Sequence, residues 1–147
     1  MDLLEPNEIT DELYSTISHM VKQLSPKAPP PTRVEITNMI KSDSTRLILA
    51  RNEQEIVGLL VLVIFQVPTG MRAWIEDFVV DKHHRRKGIG EILLDHAIQL
   101  AKEAGASTVD LTSRSSREAA IQLYAKIGFK TRETNVFRMA LQERKSL

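Results

Sequence analysis

The apolar positions of the chain change period several times, and each change marks an element. Ile9, Leu13, Ile17, Met20, Val21 and Leu24 recur at helical spacing and predict an amphipathic helix from about residue 8 to 24. The string SPKAPPPT ends it. Four of the six prolines fall there, each lacking the backbone donor that a helix interior needs, so the segment reads as a stiff connector. Thr32 and Glu35 then have the spacing of a capping box, which predicts a short second helix carrying Val34, Ile36, Met39 and Ile40.

Beyond it the pattern becomes that of strands. TRLILAR and EIVGLLVLVIFQV form a predicted antiparallel hairpin across the polar turn at Asn52 to Gln54, and RAWIEDFVV follows the turn PTG as a third strand. Strict alternation along this strand puts Trp74 and Phe78 on one face, and Glu76 and Asp77 on opposite faces. From Gly88 the helical period returns, with Ile89, Ile92, Leu93, Ala97, Leu100, Ala101 and Ala104 as the seam and Gly105 as the stop. STVDLT is a short strand reached through that helix, so its pairing is expected to be parallel. Ala120, Leu123, Tyr124 and Ile127 mark a further helix ended by Gly128, with Ser113, Ser115 and Ser116 ahead of it as helix caps or cofactor contacts. FKTR and VFRMAL are expected to close the chain as a hairpin. The fold class is therefore α/β with a mixed sheet: an antiparallel meander leads into a parallel strand pair, with helices flanking it.

A length of 147 residues suits one domain, residues 1–147, with a core that needs no staple. The absence of cysteine removes thiol nucleophiles, disulfides and thiolate metal sites. No membrane-length apolar run and no leader-like amino terminus are visible, so the expectation is a cytoplasmic protein. Histidine spacing offers no metal site: His83 and His84 are adjacent, while His19 and His96 stand apart. A formal net charge of +1 supplies no general pull on nucleic acid or membrane, so neither is expected as a partner, and any anion site must be local.

One stretch is locally basic. Lys82, Arg85, Arg86 and Lys87 precede Gly88 and Gly90 at the start of the predicted helix, where unpaired backbone N–H groups and the helix dipole favour a phosphate. By itself such a run reads as a solvated loop; the glycines, which let an anion approach the backbone, make it a candidate site. No P-loop string G-x-x-x-x-G-K-[ST] occurs, and Leu93 stands where a dinucleotide fingerprint needs its third glycine.

The string Arg85-Arg86-Lys87-Gly88-Ile89-Gly90 matches R-x-x-G-x-G. Together with the preceding IEDFVVD and the downstream AAIQLYAKIGF, it resembles the GNAT superfamily of N-acetyltransferases over about residues 74 to 129. The resemblance implies that acetyl-CoA is the cosubstrate, that Arg85, Arg86, Lys87, Gly88, Ile89 and Gly90 hold its pyrophosphate, and that backbone groups of Phe78, Val79 and Val80 line its pantetheine arm and acetyl carbonyl. A ligand pairing with that backbone requires two parallel strands to splay apart there. The reaction implied is transfer of acetyl to a primary amine of an unidentified acceptor, small molecule or peptide, by direct attack without an acyl-enzyme.

Such a transfer needs a deprotonated amine, a donor to the developing oxyanion and a proton for the departing thiolate. By resemblance Tyr124 is the general acid, against its plain reading as a core tyrosine, and Glu76 the base acting through water; Asp77 or water alone remain open for that role. Relatives often carry asparagine where this chain has Arg117, which is a cofactor contact by position only. Dimers are common in the family, so a homodimer is one assembly the resemblance implies. The alternative function within the same fold is an acyl-CoA-binding sensor or partner module without catalysis.

Overall fold

The computed structural model describes residues 1–141, and the chain divides into two compact units, residues 1–114 and the part from residue 115 onward. In the first unit, Thr10 caps α1 (Asp11–Leu24) by accepting the Leu13 amide, which sets the helix start later than the apolar spacing alone suggests. The capping box at α2 (Arg33–Lys41) has both arms in place. Between them the proline connector is tied down: the Tyr14 hydroxyl donates to the Pro31 carbonyl at 2.8 Å, and the Arg33 guanidinium lies 4.9 Å from the centre of the Tyr14 ring.

Five strands form one sheet in the order β1 (Asp2–Leu4), β2 (Thr45–Asn52), β3 (Glu55–Val67), β4 (Gly70–Val80) and β5 (Thr108–Asp110). Every pairing is antiparallel except β4 with β5, which is parallel, so the sheet is mixed as the sequence predicts. Only β1 is additional; with three residues it is too short for alternation to register in the sequence.

The sheet is apolar on both faces because helices cover both. Leu47, Leu49, Leu59, Val61 and Val79 pack with Ile17 and Met20 of α1 and Ile36 of α2. On the other side α3 (Ile89–Glu103) lies on β2, β3 and β4, burying Leu93, Leu94 and Ala97. The expected seam of α3 needs one exchange: Leu94 is buried, and Ile92 is 39% exposed because it is rotated from the seam's centre by roughly a third of a turn. Approach of α3 is close enough that a Cβ on Gly58 would lie 2.9 Å from Leu93 Cδ1 and 3.3 Å from Ile89 Cγ2, so any side chain there would displace those two.

The second unit contains α4 (Glu118–Ile127), with Gly128 at φ 123° ending it. Arg117 stands at its N-cap without a side-chain cap bond, so the expected serine cap is not formed. The expected closing hairpin is not formed either. Residues 129–141 contain no strand, and Val136, Phe137, Met139 and Leu141 are exposed. Alternation alone does not make a strand, which forms only where another main chain pairs with it, and no residue from 129 to 141 lies in a strand.

Candidate active site

β4 carries two irregularities. The first is the end of its parallel pairing: β5 runs alongside only Arg72, Ala73 and Trp74, while β4 continues to Val80. The assigned pairing thus ends before Phe78, Val79 and Val80, where the resemblance requires a splay. The second is a bulge that alternation did not reveal. The β3–β4 register shifts between Leu59 and Val61, which pair with Val79 and Glu76, and Asp77 takes up the extra residue at φ 47°.

This bulge reverses the alternation downstream. Cross-strand partners share a face, so Trp74, Glu76 and Val79, opposite Val63, Val61 and Leu59, lie on the α1 side. Val80 pairs with Gly58, whose missing side chain points at α3, and Phe78 shares that face. Phe78 is therefore on the face opposite to Trp74, against the expectation from strict alternation, because one inserted residue flips every side chain after it. Glu76 is exposed and held in place by the Trp74 indole, whose Nε1 donates to Glu76 Oε1 at 2.7 Å.

Past Val80 the chain makes one 3₁₀ turn, Lys82–His84, and then the basic glycine turn. Arg85 is extended, Arg86 is left-handed at φ 64° and Gly88 is left-handed at φ 80°, forming the N-cap of α3 without a side-chain cap. Among the described residues no amide from 85 to 88 donates to another main-chain group, and Arg85 Nε reaches back 3.4 Å to the Val80 carbonyl. Ile89 and Gly90 form the first turn of α3, so their amides belong to the helix's unpaired donor set. Amides without main-chain partners, the positive helix end and three adjacent cations are features that favour an anion.

The base of this turn is anchored by residues that the sequence does not single out. Asp81, 7% exposed, accepts from Gln23 Nε2 at 2.7 Å and pairs with His84 Nδ1 at 2.9 Å. Burial pushes its carboxyl up, but the hydrogen bonds from Gln23 and His84 and the charge of His83 and His84 outweigh that and hold it below the usual carboxylate value. His84 Nε2 lies 3.5 Å from Glu55 Oε2, so Glu55, Asp81 and His84 present ligand atoms within 4.8 Å of one another. Histidine spacing alone missed this grouping, because its two acidic members come from β3 and the end of β4. An open pocket of about 740 Å³ beside it is bounded by Glu12, His19, Glu55, Asp81 and His83, and includes none of Phe78 to Val80 or Arg85 to Gly90.

In the second unit Tyr124 is buried, its ring meeting that of Phe129 edge-on with centroids 5.9 Å apart. Burial raises the phenol's pKa above its ordinary value, while the charge of Arg117 draws it partly back. Arg117 thus has a direct electrostatic relation to the candidate acid that an asparagine there would lack.

The sequence model of the acetyltransferase (GNAT) family matches residues 10–129. An uncharacterized N-acetyltransferase, YhdJ, of Bacillus subtilis is 41% identical over 70 residues, covering 47% of this chain and 49% of that protein. The [ribosomal protein bS18]-alanine N-acetyltransferase of Escherichia coli K12 is 39% identical over 57 residues, 39% of this chain and 38% of that protein. In each case the match spans less than half the curated relative's length. Among solved structures, a putative acetyltransferase from Agrobacterium tumefaciens superposes with a TM-score of 0.81 at 20% identity, covering 95% of this chain and 100% of that one, a likeness of fold.

Proposed function

The chain belongs to the acetyltransferase (GNAT) family, and on that premise we propose that it transfers acetyl from acetyl-CoA to a primary amine by direct attack, with residues 1–147 serving as one catalytic domain. The observation that carries this reading is the junction of β4 and α3. The strand outruns its parallel partner at Trp74 and ends in a cationic turn whose amides make no main-chain bonds among the described residues. An acyl-coenzyme A needs both features, a slot along a strand edge and a diphosphate cradle at its end.

In this reading the cosubstrate supplies an acetyl group already activated as a thioester. Arg85, Arg86, Lys87, Gly88, Ile89 and Gly90 bind its pyrophosphate; Phe78, Val79 and Val80 align the pantetheine arm. Glu76, positioned by Trp74, takes the proton of the acceptor ammonium through water. The C–N bond forms as the C–S bond breaks; Tyr124, a phenol whose burial raises its pKa further, gives the thiolate its proton, and the second proton that nitrogen sheds on becoming an amide returns to the phenolate through water. Arg117 tunes that phenol and is a further contact to the coenzyme.

The test is release of free thiol from acetyl-CoA by purified protein across a panel of amines: polyamine, aminosugar, amino acid, peptide N-terminus and lysine side chain. At least one amine should give thiol and acetylated product in equal amounts. Coenzyme binding with no transfer to any of them would reduce the protein to a binding module.

A further inference from the structure

We propose that Gln23, at the end of α1, is a positioning residue that holds the coenzyme turn in its binding shape; this rests on the reading of residues 85–90 as the pyrophosphate site. The Gln23 amide bonds on three sides. Its Nε2 donates 2.7 Å to Asp81 Oδ1 and lies 3.1 Å from His19 Nε2, while its Oε1 accepts the Lys82 amide at 2.9 Å. One side chain thus grips both a side chain and the main chain at the root of the turn, from 58 and 59 residues away in sequence.

The turn needs such an anchor because it has little of its own. Its far end is secured where α3 begins at Ile89, and residues 85–88 donate no main-chain bonds among the described residues. The near end is secured at residues 81 and 82: the Asp81 amide donates to Val57 at 2.8 Å, the His84 amide to the Asp81 carbonyl at 2.8 Å, and the Lys82 amide to Gln23. Asp81 is buried, so its charge is tolerated only while Gln23 and His84 partner it. Removing Gln23 leaves that carboxylate short of one donor and the Lys82 amide short of its acceptor. The left-handed residues Arg86 and Gly88 then lose the fixed starting point that aims their amides at one anion.

A metal ion held by Glu55, Asp81 and His84 is the competing use of this cluster. Both oxygens of Asp81 are already engaged, Oδ1 by Gln23 at 2.7 Å and Oδ2 by His84 Nδ1 at 2.9 Å, and the observations favour the strut.

The experiment measures coenzyme A affinity by calorimetry, then KM for acetyl-CoA, kcat and melting temperature. Gln23→Leu, which keeps volume and removes every amide bond, should weaken coenzyme A binding and raise its KM by about 5- to 20-fold, the loss of one to two hydrogen bonds, with kcat within about twofold. Gln23→Glu alone sets two carboxylates against each other and should weaken binding at least as much. The pair Gln23→Glu with Asp81→Asn re-forms the contact with donor and acceptor exchanged, and should return affinity to within about threefold of the parent. A lowered melting temperature with unchanged coenzyme affinity in Gln23→Leu makes Gln23 a mere brace and overturns the proposal. Failure of the exchanged pair to recover affinity relative to Gln23→Glu overturns it as well, even if the leucine variant does not fold. A parent protein that binds no coenzyme A strikes the functional reading itself.

Discussion

Residues 74–105 and residues 129–141 both present alternating or periodic apolar positions, and the two regions resolve differently. In the first, Ile75, Val79, Ile89, Leu93 and Leu94 are buried between strand and helix. In the second, Phe137 is 88% exposed and Leu141 72% exposed. Composition does not separate them. What differs is that β4 and α3 meet partners on the sheet, while VFRMAL forms no strand. A periodic pattern states what a segment offers, and the edge or face available to it decides whether the offer is used.

The largest effect is expected where that first region turns from packing to chemistry. Gly90→Glu puts a carboxylate in the first turn of α3, where the helix dipole welcomes it and where the proposed diphosphate would lie. The fold should survive, with melting temperature unchanged or slightly higher, while coenzyme A binding falls below detection in calorimetry. Retained binding would move the coenzyme away from this turn.

Next in size is the effect expected of the proposed acid, Tyr124. Tyr124→Phe should lower kcat by about 100-fold, the lower range for a positioned general acid, with coenzyme affinity nearly unchanged. The sign of the pH dependence follows from the raised phenol: protonated is the useful form, so the alkaline fall in kcat that Tyr124 causes should lie above its ordinary value of 10.0. Arg117→Asn removes the charge that pulls the phenol down, and should shift that fall further upward. Parental kcat in the Tyr124→Phe variant would return Tyr124 to the role of a core side chain packed on Phe129.

Much of this was legible in the sequence, and the illegible part has one cause. Residues 85–90, the helix after them and the parallel strand could be placed from glycines, charge and period, because those signals are local. The Asp77 bulge could not, since β4 alone carries no mark of an extra residue; it exists only in the register with β3. That bulge is why Trp74 and Phe78, which alternation puts on one face, lie on opposite faces. Gln23 was equally silent: within α1 it is an ordinary polar position, and its meaning comes from Asp81 and Lys82, far along the chain. Val136 to Leu141 differ in the opposite sense, with a strong local signal and no strand formed.

Gly58 offers a sharper look at the well-packed region. Alanine there would meet Leu93 Cδ1 at 2.9 Å, the backbone being close on the other side with Val79 O at 3.4 Å. Leu93 Cδ1 is the far end of a side chain that is itself fully buried, so making room means repacking Leu93 within the core. Gly58→Ala should cost about 1–3 kcal/mol in denaturant unfolding, the usual range for overpacking. Because α3 supplies the helix end at the candidate anion site, coenzyme affinity should fall with it. A neutral result would mean that α3 sits less tightly on β3 than these distances state.

The smallest effect belongs to the other side of the comparison. Phe137→Ser removes a large apolar side chain that is 88% exposed, so folding loses almost no buried area. The unfolding free energy should change by no more than about 0.5 kcal/mol, as for a surface substitution. Were residues 136–141 instead a strand inserted in a sheet, the same change would remove a buried aromatic and cost about 3 kcal/mol or more. The two expectations differ enough for one urea titration of parent and variant to decide between them. A large loss would mean that VFRMAL does find an edge in solution, and the expected hairpin, rather than the open segment, would then describe the end of the sheet.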